Sequence, residues 1–273
     1  MKKAMFVTSL MWLTALALLI PARAEAQSPT VRHLQARVAA LEAVVAALQA
    51  KLACVGVVND TINGLAGPNF IFEGCNVHVR SGSGTTDDGG TLTGLGNLVV
   101  GYNEPRLTRQ GLDETERTGS HNLIVGREHK YPSFGGLVAG RGNTVSGQSS
   151  SVSGGSFNTA SGDRSSVSGG DSNAASGQSS SVSGGDSNAA SGQSSSVSGG
   201  FDNEASANVS SVSGGGSNTA SGQYSSVSGG FNNEASGFVS SVSGGRNNVA
   251  DEEFSTVSGG AGNNTTAVNQ HVP

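Results

Sequence analysis

The stretch Ser151-Val152-Ser153-Gly154-Gly155-Ser156-Phe157-Asn158-Thr159-Ala160-Ser161-Gly162-Asp163-Arg164-Ser165 decides the fold, because its fifteen positions return in phase along the rest of the chain. One column holds Val152, Val167, Val182, Val197, Val212, Val227, Val242 and Val257. A second holds Asn from Asn143 to Asn263, a third holds Ala from Ala160 to Ala250, and a Gly pair recurs from Gly154-Gly155 to Gly259-Gly260. A flexible Ser/Gly linker has no reason to keep phase over eight copies, whereas a stacked solenoid must offer each neighbour the same side chain at the same place. No Pro falls between Pro132 and Pro273, as required if every coil donates ladder hydrogen bonds to the next. Within a coil, Val152 and Gly154 share one face of a short strand and Ser151 and Ser153 the other, and Asn158 to Gly162 reads as a second strand. Gly154, Gly155 and Gly162 suit corners with positive φ, and stacked Asn side chains suit an amide ladder. The expected fold is therefore mostly β, a parallel solenoid of 15-residue coils about 4.8 Å apart. With one Val and one Ala per coil the core is thin, so several chains are expected to pool these columns around a shared axis.

Outward from the repeat, residues 31–55 carry Val31, Leu34, Val38, Leu41, Val45, Leu48, Leu52 and Val55 at alternating spacings of three and four. That is an a/d heptad seam ended by Gly56, and it predicts a coiled coil over 30–55. Val at a with Leu at d suits two helices, while Val44 at g widens the apolar face and suits three, so dimer and trimer both remain open and the trimer is favoured. The chain opens with Lys2 and Lys3, an uncharged apolar run over 4–20, and a small-residue site at Pro21-Ala22-Arg23-Ala24. This predicts a cleaved secretory signal over 1–24 and a protein exported to the cell surface or medium, since seventeen residues are short for a bilayer span. No second apolar stretch follows, so no membrane span is expected after cleavage.

Formal charge is −5 and moves to −8 without the signal, which excludes nucleic acid as an expected partner. Residues 56–135 are less regular and predict a β connector that caps the solenoid over 136–262, with 263–273 as a tail. There Phe70-Ile71-Phe72 and Val77-His78-Val79 alternate like strands on either side of Glu73-Gly74. The polar stretch 104–120, with Arg106, Arg109, Glu114 and Arg117, reads as a long surface loop, either a binding surface that uses Arg106, Arg109 and Arg117 or a solvated charged insertion. Cys54 and Cys75 are the only cysteines, and in an exported chain they either form a disulfide or stand as separate thiols. The histidines show no metal spacing, Gly169-Gly170-Asp171 only begins a calcium nonapeptide, the Ser residues of the repeats have no partnering His and acid, and no Gly-x-Ser-x-Gly elbow is set between a strand and a helix. No cofactor and no catalysis are expected. Copy-to-copy variation falls in two turns, with Phe157, Phe201 and Phe231 in one and Val209, Tyr224, Val239 and Phe254 in the other. The latter column is either packing between chains or an exposed contact patch.

The motifs Asn97-Leu98-Val99-Val100-Gly101, Asn122-Leu123-Ile124-Val125-Gly126 and Leu137-Val138-Ala139-Gly140 resemble head repeats of trimeric autotransporter adhesins, the YadA-like left-handed β-rolls of bacterial surfaces. The Ser-Val-Ser-Gly-Gly copies look like a serine-rich version of that unit, over roughly residues 90–262. The resemblance implies three parallel chains and an adhesive role toward a surface, glycan or protein ligand. The sequence departs from it in a repeat one residue longer, a coiled coil before the head, and a chain ending at Pro273 without a barrel segment, so self-anchoring is not implied. Two other function classes fit the repeat: a flat Ser151/Ser153 hydroxyl array of the ice-binding kind, and a passive envelope component.

Overall fold

The computed structural model describes residues 28–108, 111–113 and 116–273, so the expected signal over 1–24, Arg109 and Glu114 lie outside the described residues. The chain divides into two compact units, one up to Val77 and one from His78 to Pro273.

The first unit opens with helix α1, Pro29–Lys51. Ser28 caps it, its hydroxyl accepting from the Val31 N–H at 3.3 Å, and Pro29 occupies the first turn, where its missing N–H costs nothing. The helix ends earlier than the heptads predict. Leu52 is its C-cap, and Val55, expected on the seam, instead opens strand β1, Val55–Val58. The β-branched run Val55-Gly56-Val57-Val58 favours extended backbone, and it pairs antiparallel with β2, Asn69–Phe72, in the register Val55 to Phe72. Phe70-Ile71-Phe72 thus pairs upstream, and Val77 to Val79 belong to no strand. A disulfide joins Cys54 to Cys75, with Cα atoms 6.0 Å apart, beside the end of this hairpin.

The second unit is the solenoid. One sheet has twelve parallel strands: β3 (Leu98–Val100), β6 (Leu123–Arg127), β7 (Leu137–Arg141), two-residue strands from Ser151–Val152 to Thr256–Val257, and finally His271–Val272. A second sheet stacks eight two-residue strands from Thr144–Val145 to Val249–Ala250. Register is strict, Val152 on Val167 on Val182 and Ala160 on Ala175 on Ala190. The solenoid therefore exceeds 136–262 at both ends. The expected connector over 56–135 is split, with β1 and β2 in the first unit and β3 and β6 already part of the stack. Between β3 and β6 an antiparallel hairpin, β4 (Arg106–Thr108) and β5 (Gly111–Asp113), replaces the loop expected over 104–120.

The core lies inside the single chain. Every Val of the column Val152 to Val257 and every Ala from Ala160 to Ala250 is at most 1 % exposed, which corrects the expectation that several chains pool them. Two sheets of one chain already face each other closely enough to enclose side chains this small. Two polar columns share the interior, Asn143 to Asn248 and Ser150 to Ser255. The Asn side chains act as cross-coil fasteners. Asn188 donates to the carbonyls of Gly184 and Gly200 at 3.0 and 2.9 Å, and its Oδ1 accepts the Asn203 N–H at 3.0 Å. The Asn188 side chain so satisfies backbone groups of its own coil and of the next, and reaches the previous coil through the Asn173 side-chain oxygen.

Near the start of the stack the polar core includes His129, which is fully buried. Its Nδ1 accepts the Asn143 N–H at 3.2 Å, so Nε2 carries the proton that is donated to the Val125 carbonyl at 3.0 Å. Burial, which penalises the charged ring, holds its pKa below the ordinary 6.5. The unfolded chain therefore takes up the proton first, and the fold loses stability as pH falls below about 6.5. Melting temperature should be level above that pH and drop as pH falls below it, with the drop much reduced in His129→Gln. The Asp88 and Asp171 carboxyls are held low by serine hydroxyls, Ser120 foremost for the first and Ser156 for the second. They lose their contribution only below about pH 4, so they do not contribute in this window. A level profile down to pH 4.5 in the wild type would refute the role of His129.

Candidate functional site

A uniform stack can vary only where side chains leave it, and the structure places that variation at two corners of each coil. At one corner the residue before the buried Ser is held at positive φ in every copy. In the earlier coils it is Ser149, Arg164, Ser179 and Ser194; in the later ones Val209, Tyr224, Val239 and Phe254, at φ between +54° and +61°. Positive φ costs an L-residue about 1–2 kcal/mol, and for a β-branched side chain such as Val209 or Val239 it is a true outlier. Local propensity therefore opposes these four residues.

Burial does not compensate. Val209, Tyr224, Val239 and Phe254 are 40–49 % exposed in the chain. Phe238, one residue before Val239, completes the patch: its ring meets Tyr224 edge-to-face at 5.8 Å and Phe254 at 5.5 Å, a favoured aromatic geometry. The sequence reading missed Phe238 because the same column holds Asn208, Gln223 and Glu253 in neighbouring coils; its adjacency to the Val239 column was the available signal. The other corner exposes Phe201 and Phe231 about halfway, with the Arg246 guanidinium 5.7 Å from the Phe231 ring.

Of the three arginines expected on one loop, Arg109 lies outside the described residues, and Arg106 and Arg117 do not act together. The Arg117 guanidinium is spent on backbone, donating to the carbonyls of Asn103, Glu104 and His129 at 2.7, 3.0 and 3.1 Å. It clamps the root of the β4–β5 excursion and leaves the ligand-facing set. Arg106 is exposed at the start of β4 with its guanidinium 4.8 Å from the Phe157 ring. Near the solenoid's start, Asp88 accepts from the hydroxyls of Ser83 and Thr93 at 2.7 Å each, and His121 accepts the Ser81 N–H at 3.1 Å. Ser81 donates its hydroxyl to Asp88 and not to His121, so this Ser/His/Asp group is a loop-organising knot without an activated nucleophile.

In the first unit, Val31, Leu34, Val38, Leu41, Val45, Leu48 and Leu52 are 41–62 % exposed, and no residue of α1 is buried. Among the described residues no helix is long and apolar enough to cross a membrane, and no group of His, Cys, Asp or Glu is placed to hold a metal.

No curated protein matches the chain. Residues 225–237, most of one coil, match the family described as the ubiquitous surface protein adhesin repeat, which together with the solenoid fold supports a surface adhesive or structural repeat protein.

Proposed function

We propose that this chain is an exported, non-catalytic adhesive rod, assembled as a parallel homotrimer through α1 and engaging surfaces through its outward corners. The observation that carries this reading is the stripe of Val209, Tyr224, Phe238, Val239 and Phe254, in which apolar side chains are kept exposed on backbone that disfavours them. Sites that accept local strain without internal packing gain are where function is expected. Assembly is supported by α1 itself. A 23-residue helix with an unbroken apolar seam and no buried residue has no packing partner among the described residues, and helices owe most of their stability to packing. Three parallel copies would present each corner three times, so weak contacts add through effective concentration.

The test replaces Tyr224 and Phe254 together by Ser, the residue found at this column in Ser179 and Ser194. Light scattering should give three chains for wild type and double mutant alike, and the melting temperature should not fall, because Ser tolerates the corner at least as well. Binding to host cells or matrix should drop about tenfold or more. Loss of assembly or an early melt would make the stripe a packing surface, and undiminished binding would remove it from the site.

A further inference from the structure

Where the hairpin leaves the stack, Arg106, Arg127 and Arg141 converge on a pocket of about 470 Å³ floored by Phe157. Phe157 stands at φ +55°, a corner that other coils fill with Ser172, Ser187 or Asn232, so an aromatic residue here is again opposed by the local backbone. Room for its ring depends on Gly142, where an added Cβ would lie 2.7 Å from Phe157 Cε1. Two guanidiniums lie against that ring, Arg106 at 4.8 Å and Arg141 at 5.6 Å from its centre, an attraction that fixes otherwise mobile side chains. Glu128, whose side chain is 15 % exposed, holds the other side: its carboxylate lies 3.3 Å from Nε of Arg141 and 3.8 Å from Nε of Arg127. Arg127 and Arg141 thus share one carboxylate, and Arg106 makes no ion pair among the described residues.

We propose that this pocket binds an acidic sugar, its oxyanion taken by the arginine amino groups and its hydroxyls by Glu104 and Glu128. Three guanidiniums against two carboxylates leave a local positive charge in a chain of net charge −5, and guanidinium forks match the geometry of carboxylate and sulfate. The mixed lining narrows the class. An acidic peptide side chain or free phosphate would satisfy the arginines but offer the two carboxylates no hydroxyl donors, whereas a uronic, sialic or sulfated sugar supplies both. The volume suits a ligand of one or two sugar rings. This rests on the adhesive reading above and gives it a ligand class.

The experiment measures binding of the full chain at physiological salt to heparin, which carries sulfate, to polygalacturonate, which carries carboxylate only, and to neutral dextran. Binding of either or both acidic polymers with none of dextran is expected, and which polymer binds identifies the oxyanion. Arg106→Gln and Arg141→Gln should each lower affinity about tenfold, and Phe157→Ser should lower it by removing the platform while leaving the charge. Arg246→Gln, on the distant Phe231 ring, should change nothing. Should Arg141→Gln melt early through loss of its Glu128 partner, Arg106→Gln decides alone. The proposal fails if neither acidic polymer binds, if dextran binds equally, or if Arg106→Gln binds as wild type. The Tyr224/Phe254 double mutant should retain sugar binding, so the two sites stand or fall separately.

Discussion

Gly170→Ala is expected to abolish cooperative folding of the coils around it, while Gly169→Ala, one residue earlier, leaves the melting temperature unchanged. Gly170 is at φ +84°, and an added Cβ there would run into the Gly185 carbonyl oxygen and come within 2.8 Å of the Gly185 N and 2.6 Å of Asn173 Nδ2. The obstacle is the backbone of the next coil, held by ladders on both sides, so it has nowhere to relax. Backbone incompatibility and overpacking add to several kcal/mol, most of the stability of an ordinary domain. At Gly169 nothing lies within 4 Å of the same atom. Thermal melts of the two single mutants make the comparison, and equal behaviour would refute the close-approach argument.

The second large effect is expected at the Asn ladder. Asn188→Ala removes donors to Gly184, Gly200 and Asn173 and an acceptor for Asn203, at a site 1 % exposed. With each bond worth about 1 kcal/mol net and the orphaned groups buried, the loss is on the order of 4 kcal/mol. Because each coil touches only its neighbours, the damage should depend on position. The same change at Asn263, only half-buried in the last rungs, should fray an end and cost far less. Denaturant unfolding of the two variants measures the difference, and equal losses would show that the coils do not behave as a linear array.

The coil period, the buried Val, Ala and Asn columns and the outward corners were legible because one side chain per column meets its own copy above and below. Phase alone therefore announces contact. What escaped the reading has no such self-reference. The Ser150 column carries no sequence signal of being internal, yet in a coil this narrow a hydroxyl is small enough to sit inside, where Ser150 bonds Gly147 at 2.7 Å while Ser165, Ser180, Ser225 and Ser240 are buried without a partner among the described residues. Gly162 was assigned a positive-φ corner, but its φ is not positive, and what excludes a side chain there is the carbonyl of Gly177 in the next coil. Val55 matched the heptad spacing, and its strand pairing with Phe72, seventeen residues on, is not written in that spacing. Arg117 looked like one more solvated charge of its segment, because the three carbonyls it ties together come from residues unrelated by spacing. The sugar pocket was equally hidden, since Arg106, Arg127, Arg141 and Phe157 meet only once three rungs are stacked.

Residues 171–185 and 186–200 are identical, and they lie in the stack between Phe157 and Val209. Because consecutive coils pair in strict register at both sheets, deleting or duplicating one such block leaves every ladder intact. What changes is the spacing between the two ends, by about 4.8 Å for each block. The stack thus works as an adjustable ruler, in which whole-coil gain or loss retunes the distance between the arginine pocket and the apolar corner without redesigning either.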